Sequence, residues 1–353
     1  MNRSQRTDAA RIERKAPETL ADLGEWELIR RLGAFAPAGQ FSDDAALLTG
    51  RQEDQGVLVV NTDVLVEGIH FSEVTTGPSD VGWRATAANL SDLAAMGASE
   101  VVGLTVGLVA PSSTRWSWVE GVYQGIAACL RAHGGVLLGG DCSGGTQRLL
   151  AITALGRLPD AGGPIRRAQG RPGDRLVSTG PHGLSRLGLA LLQGTAEAKT
   201  MAGLDAGLIG RAITAHQRPR PRFDAVRTLH ASQPAETAWR VGGCDSSDGL
   251  GAAVAAIATA SGCAAQLDRR ALPLDAAMAV LPQAQDWCLN GGEDFELVLA
   301  LESSWAETFV AALPGSSLIG ELVAGSAGAL GWSDGGSWPA EIAAASGGYQ
   351  HFH

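Results

Sequence analysis

Lysine is nearly absent from this sequence. The only two are Lys15 and Lys199, so almost all positive charge is carried by arginine. A phosphate-binding P-loop requires Gly-Lys-Ser/Thr, whereas Lys199 follows Ala198. The Val-Ala-Ile-Lys segment of protein kinases is also missing. If the protein uses ATP, it must hold the phosphates in another way.

Cysteines and long apolar runs are also scarce. The 5 cysteines are odd in number, scattered, and form no C-x-x-C pair, which argues against a disulfide framework or a structural zinc site. No apolar run reaches the roughly 18 residues of a transmembrane helix, and residues 1–20 are charged, without the apolar stretch of a secretory signal. We therefore expect a cytoplasmic protein without a membrane partner.

Acidic residues outnumber basic residues in the whole sequence. The 27 Lys and Arg against 37 Asp and Glu leave a net charge of −10, which does not attract nucleic acid and suits divalent cations. With 353 residues, 45% of them hydrophobic, the chain can form about two globular domains.

Strand-like and helical segments alternate along the chain, which predicts an α/β or α+β fold. Strands are predicted over 56–68, 101–109 and 149–158, with a short buried strand at 136–138, and helices over 80–96 and from Pro111 to His133. The Gly-, Pro- and Arg-rich stretch 159–174 is the predicted domain boundary. We therefore predict a flexible tail over 1–22, an N-terminal domain over 23–163 and a C-terminal domain over 164–353.

Acidic residues recur beside glycine or at the ends of apolar runs. They occur in 43-DDAALL-48, at Asp63, at Asp92, in 139-GGD-141, in 244-CDSSDGL-250 and in 290-NGGEDFEL-297. Most of these segments alone are also typical of a turn, a strand end or a helix cap, whereas Asp92 lies within an apolar helical stretch, where an Asp is uncommon without a partner. Together they predict converging carboxylates, which would repel one another unless a hard cation such as Mg²⁺ lay among them. Cys142 and Cys244 each adjoin such an Asp, and we interpret both as small packing residues.

Taken in order, these segments resemble the thiamine-monophosphate kinase family of the aminoimidazole-ribonucleotide synthetase-like superfamily. The longest matching blocks are 61-NTDVLVEGIHF-71 and 85-ATAANLSDLAAMGA-98, joined by 166-RRAQGRPGD-174 and 347-GGYQHF-352. The resemblance implies two α/β domains, a homodimer formed by the N-terminal domains, and Mg²⁺-dependent transfer of phosphate from ATP to thiamine monophosphate. It also implies direct in-line transfer, with no certain catalytic side chain.

The resemblance further implies a role for particular residues. Several Mg²⁺ ions would be held by Asp44, Asn61, Thr62, Asp63, Asp92, Asp141, Asp245 and Asp248. ATP would contact Tyr123, Gly140, Asp141, Arg167 and Ser247. Thiamine monophosphate would contact His70, Glu293 and Tyr349, the last by stacking on a cationic ring.

Two departures from the family pattern are visible: Ser42 stands where Gly usually precedes the Asp pair, and Cys142 where Thr is common. Two alternatives stay open. One is another ATP-using synthetase of the superfamily, of the selenophosphate or purine-pathway type, although no cysteine precedes Cys129 as a selenophosphate synthetase would require. The other is a non-catalytic, metal-dependent nucleotide-binding module.

Overall fold

The computed structural model describes residues 23, 27–31, 42–49, 56–195, 203–336 and 338. Contacts divide the chain into residues 1–39 with 350–353, and residues 40–349. In the first unit, residues 27–31 are helical and Glu27 pairs with Arg30 and Arg31. The predicted tail 1–22 and Tyr349 lie outside the described residues. Everything below concerns the second unit.

The first half of this unit forms a five-stranded sheet with two helices. Its elements are β1 (Ala46–Thr49), β2 (Val57–Val66), α1 (Pro78–Ala95), β3 (Glu100–Ala110), α2 (Trp116–His133), β4 (Val136–Gly144) and β5 (Leu149–Arg157). The strand order is β1-β2-β5-β3-β4, antiparallel except for the β3–β4 pair. The predictions for these helices and for the strands β2, β3 and β5 are confirmed to within a few residues.

The edge strand β4 differs from its prediction. A strand at 136–138 is confirmed, but its expected short length and burial are wrong, because β4 runs to Gly144 and all nine of its residues are exposed. In contrast, burial alternates along β5, as expected of a strand with one face on the core. The apolar letters of β4 indicated a strand, but its edge position leaves them uncovered.

Helices α1 and α2 pack closely because glycine lies where they cross. A Cβ atom on Gly82 would lie 1.9 Å from the Val122 carbonyl oxygen, and one on Gly125 would lie 1.9 Å from that of Ser79. No side chain fits at that separation. The close crossing sets the position of α1, which carries several candidate site residues.

The second half contains shorter strands and more helices. They are β6 (Arg175–Ser178), α3 (Leu184–Gln193), α4 (Ala206–Gln217), α5 (Phe223–Ala231), β7 (Gly242–Asp245), α6 (Leu250–Ala260), β8 (Ala264–Leu267), α7 (Ala284–Asn290), β9 (Leu297–Leu301), α8 (Ser303–Ala312), β10 (Ser317–Val323) and β11 (Leu330–Trp332). The six strands are ordered β11-β8-β10-β6-β9-β7. The mixed α/β class is therefore confirmed, while the domain limits 23–163 and 164–353 stay a prediction.

A continuous apolar cluster joins the two halves. It includes Val59 and Leu90 from the first half and Trp305 and Phe309 from α8, all fully buried. Among the described residues, no helix is long and apolar enough to cross a membrane.

Candidate functional site

Four carboxylates come together where the two halves meet. Asp44 precedes β1, Asp63 lies within β2, Asp92 lies in the last turn of α1, and Asp245 ends β7. Asp63 follows the apolar run 57–60, but β2 itself continues past it to Val66. The convergence therefore comes from a loop, two strands and a helix rather than from strand ends alone.

Burial and mutual repulsion make three of these acids, Asp44, Asp63 and Asp92, unusually hard to ionise. Burial raises the pKa of Asp44 to about 7, with Arg167 opposing the shift and Asp245 adding to it. Burial and then the charge of Asp245 raise the pKa of Asp63 to about 6. The pKa of Asp92 is raised most strongly, by burial and then by Asp63, Asp245 and Asp44. Such shifts show that charge of the same sign is concentrated in one place.

Amide and hydroxyl groups hold these carboxylates. Asn61 Nδ2 donates to Asp92 Oδ2 at 2.7 Å and to Asn89 Oδ1 at 3.3 Å. Ser91 Oγ donates to Asp245 Oδ2 at 2.7 Å, which joins α1 to β7. The Asn61 Oδ1 atom is buried without a hydrogen-bond partner. An oxygen acceptor therefore lies unused beside the acids.

Arginine supplies the positive charge of this region. Arg167, at the start of the short 3₁₀ helix Arg167–Gln169, forms an ion pair with Asp44. The neighbouring Asp43 accepts from the Arg167 backbone N–H at 2.9 Å and lies 3.4 Å from Arg166 Nη1. Asp43 therefore holds the arginine segment, while Asp44 faces the other carboxylates.

Three predicted metal ligands are placed differently. Thr62 is exposed on the opposite face of β2 from Asn61 and Asp63, with its hydroxyl 2.8 Å from that of Thr153. Asp141 in β4 and Asp248 after β7 are also exposed. Neither is among the charges that most affect Asp44, Asp63 or Asp92. In the described part of the chain, no three His, Cys, Asp or Glu side chains form a group whose present arrangement could hold a metal ion.

An open, mostly apolar groove of about 540 Å³ lies between α2 and the outer strands of the first sheet. Its lining includes Leu108, Trp116, Tyr123 and Cys142. Cys142 is exposed, so its interpretation as a packing residue is wrong, whereas Cys244 is buried as expected. The groove brings Tyr123 close to β4, the strand that carries two of the other predicted ATP contacts, Gly140 and Asp141.

Gly140 has a structural reason to be glycine. A Cβ atom there would lie 2.0 Å from the Val106 carbonyl oxygen on β3. The two strands would have to separate to admit any side chain. This close approach accounts for the glycine whether or not it also contacts a nucleotide.

Two of the predicted acceptor residues, His70 and Glu293, lie in separate loops. His70 lies in the turn after β2, where its Nδ1 accepts from the Val66 backbone N–H at 3.1 Å. Glu293 has a φ of 56°, and Phe295 of 52°, values that non-glycine residues rarely adopt. The Glu293 N–H donates to the Ser247 carbonyl at 2.6 Å, so the Glu293 loop touches the loop that carries Asp245 and Asp248.

Several residues that support the site were not predicted. Asn89 and Ser91 belong to the quoted 85–98 block and hold Asn61 and Asp245, and Arg84 pairs with Glu293. Their signal was available, because polar residues within an apolar helical stretch need partners. His216 was not foreseen, since it lies far along the chain on α4.

Family models match both halves of the chain. The model described as AIR synthase related protein, N-terminal domain, matches residues 42–158, and the corresponding C-terminal domain model matches residues 171–333. The fold and the acidic site therefore define a two-domain protein of the AIR-synthase-related class.

Curated relatives narrow the class further. A thiamine-monophosphate kinase of Prochlorococcus marinus is 48% identical over 92% of this chain and 95% of its own length, and one of Synechococcus elongatus is 47% identical over 95% and 98%. The chain belongs to the thiamine-monophosphate kinase family and is an enzyme of the kinase type.

Solved structures agree with this assignment. AaThiL complexed with AMPPCP and TMP has a TM-score of 0.78 and 25% identity, covering 96% of this chain and 100% of that one. A thiamine-monophosphate kinase from Stenotrophomonas maltophilia K279a has a TM-score of 0.67 and 32% identity, covering 88% and 96%.

Proposed function

We propose that this chain transfers the terminal phosphoryl group of ATP to thiamine monophosphate and forms thiamine diphosphate, the last step in making that cofactor. The convergence of Asp44, Asp63, Asp92 and Asp245 in a member of this kinase family carries the proposal. The ligands named for AaThiL, the ATP analogue AMPPCP and TMP, support the same choice.

Mg²⁺ fits the donor set. Buried carboxylates that repel one another, beside the unpartnered Asn61 Oδ1, are the oxygen ligands that this hard cation prefers. We propose that Asp44, Asn61, Asp63, Asp92 and Asp245 hold Mg²⁺. Asp141, Asp248 and Thr62 stay proposed ligands for further ions. Bound there, Mg²⁺ would neutralise the negative charge of the phosphates.

The apolar groove suits the adenine of ATP. Tyr123 offers a ring to stack on a base, and β4 continues from the groove to Gly140 and Asp141. The proposed phosphate contact of Arg167 requires this guanidinium to exchange Asp44 for a phosphate oxygen. Ser247 is exposed and stays a proposed ATP contact.

Thiamine monophosphate is proposed to bind His70 and Glu293, with Tyr349 stacking on its thiazolium ring. We propose direct in-line transfer, because the acceptor phosphate oxygen is already ionised near neutral pH and needs no general base. The chain then contributes positioning and charge neutralisation.

The first test is phosphorus NMR of the purified protein with ATP, Mg²⁺ and thiamine monophosphate. We expect thiamine diphosphate to appear with one ADP for each product molecule. Bound nucleotide without any diphosphate product would overturn the proposal and lead to a screen of other acceptors.

The metal proposal predicts that Asp63→Asn abolishes turnover, by about a hundredfold or more, while the protein stays folded. The amide keeps the shape of the side chain but removes the charge that would bind a cation. Turnover and the thermal midpoint are measured together. Asp160→Asn, at an exposed loop position, is the matched control, and near-normal activity of Asp63→Asn would contradict the metal site.

We also propose a homodimer formed through the start of β4, residues 136–138, which leaves Cys142 near the end of the strand open to the groove. This edge strand exposes Val136, Leu137 and Leu138 by 57%, 45% and 52%, an apolar surface that a second copy would cover. Light scattering after size-exclusion chromatography should give twice the chain mass. Leu137→Glu should give a monomer, and a wild-type monomer would contradict this proposal.

A cytoplasmic location is proposed from the thiols. All five cysteines are free, which suits a reducing compartment.

A further inference from the structure

Arg84 is a buried charge outside the group of four carboxylates. Its side chain is 3% exposed and projects from α1. Ser91, which holds Asp245, lies seven residues later, about two turns along the same helix face. One face of α1 therefore reaches both the proposed metal site and the residues around Arg84.

The partners of Arg84 come from the second half of the unit. Its Nη2 donates to Glu293 Oε1, and its Nη1 lies 2.8 Å from His216 Nε2. Because arginine can only donate, His216 Nε2 must accept. The ring proton is then on Nδ1, which lies 3.3 Å from Ser185 Oγ and 3.8 Å from Glu293 Oε2.

This arrangement keeps His216 neutral. Burial, then the charges of Arg84 and Arg186, lower the pKa of His216 to about 3. The imidazole is thus a fixed hydrogen-bonding group at neutral pH, with one defined tautomer. Arg84 and His216 together surround the inner side of the Glu293 carboxylate.

Glu293 needs such support. Its backbone is in the left-handed region, which is unfavourable for a residue with a side chain. Its side chain is nevertheless 36% exposed, so part of the carboxylate remains accessible. A strained residue with one side held and the other open is suited to receiving a ligand.

We propose that Arg84 is a positioning residue that, together with neutral His216, orients Glu293 to receive thiamine monophosphate. Through Ser91 and Asp245, the same helix would also keep the acceptor site in register with the metal site. This inference rests on the proposed function and assigns Arg84 and His216 roles within it.

The test compares Arg84→Met with wild type, in turnover and in calorimetric titration with thiamine monophosphate or AMPPCP. We expect the KM and Kd for thiamine monophosphate to rise about tenfold or more, since a hydrogen bond to a charged group is lost. The KM for ATP and the Kd for AMPPCP should stay within about twofold. Arg84→Lys, which keeps the charge but cannot make both contacts, should show a smaller rise.

Arg211→Met is the matched control. Arg211 lies on α4, the helix that also carries His216, and its Nε is 2.9 Å from Asp275 Oδ2. Unlike that of Arg84, its side chain is 50% exposed. This variant should leave the KM values for both substrates, and the Kd values for thiamine monophosphate and AMPPCP, unchanged. If Arg84→Met does not fold, Arg84→Lys decides.

The outcomes separate the two proposals. If the wild type is active, and the KM and Kd values of Arg84→Met rise equally for both substrates or change for neither, the role of Arg84 is overturned while the proposed function stands. A wild type that neither binds nor phosphorylates thiamine monophosphate would overturn the proposed function and this inference with it.

Discussion

At the scale of the residue, neighbouring acids have separate tasks. In the Asp43-Asp44 pair, Asp43 holds the Arg167 backbone and Asp44 faces the carboxylate group. In Glu293-Asp294, Glu293 meets Arg84, whereas Asp294 accepts from the Gly183 N–H at 2.6 Å and the Ser185 N–H at 3.0 Å. Asp294 thus supports the start of α3. In both pairs, one acid holds the backbone of a neighbouring segment and the other belongs to the proposed site.

Cys142 carries a prediction at this scale. It is the one cysteine that is exposed, while the other four are buried. Native protein should therefore react rapidly at a single thiol with Ellman's reagent, and Cys142→Ser should remove that reaction.

The same labelling tests the nucleotide groove. AMPPCP with Mg²⁺ should slow the reaction of Cys142 several-fold, because the thiol lines the proposed adenine site. Unchanged labelling at saturating AMPPCP would argue against nucleotide binding in this groove.

At the scale of the element, α1 depends on its close contact with α2. The crossing has no room for a Cβ at Gly82 or Gly125, and α1 carries Arg84, Ser91 and Asp92. Separation of the two helices would move several site residues at once.

Gly125→Ala should therefore destabilise the protein by about 1–3 kcal/mol, the usual cost of overpacking. The added methyl group would lie 1.9 Å from the Ser79 carbonyl oxygen. Gly210→Ala, inside α4 with nothing within 4 Å of the new atom, is the control and should be neutral or slightly stabilising. Urea unfolding of both variants measures the difference, and equal stabilities would contradict the tight crossing.

At the scale of the whole molecule, polar contacts join the two halves around the site. Trp83 Nε1 donates to the Pro219 carbonyl at 2.8 Å, and Gln217 Nε2 donates to that of Thr75 at 2.7 Å. Within the second half, the Nε2 of fully buried His182 lies 2.9 Å from Ser246 Oγ. A buried histidine titrates differently in the folded and the unfolded chain, so it makes the stability of the protein depend on pH.

His182 predicts the direction of that sensitivity. Burial lowers its pKa from 6.5 to about 4, so the unfolded chain binds the proton first as pH falls. The stability due to neutral His182 is complete above pH 6.5 and is lost progressively below it. Between pH 7 and pH 5 the loss is about 2 kcal/mol.

Comparison with His182→Asn isolates this histidine from the acids that titrate nearby. Urea unfolding at pH 7 and pH 5 should show a steeper loss in wild type than in the variant. Identical pH dependence would mean that His182 is not held neutral.

The local sequence pattern was sufficient to predict most helices and strands of the first half. The long apolar segments behind β2, β3, α1 and α2 have clear periods and lengths, and their predictions are confirmed. The short strands β7, β8 and β11 were not predicted, because three or four residues carry no usable period. The exposure of β4 could not be foreseen either, since edge position depends on strand order.

The sequence by itself determined the class of fold, the family and the acidic residues of the site, since these depend on residue type, order and spacing. Only the tertiary structure decided which acids meet, because Asp44, Asp63, Asp92 and Asp245 are brought together by contacts between distant segments. It also showed Arg84 and His216 holding Glu293. His216 and Glu293 lie 132 and 209 residues from Arg84 along the chain, so these contacts form only once folding brings the segments together.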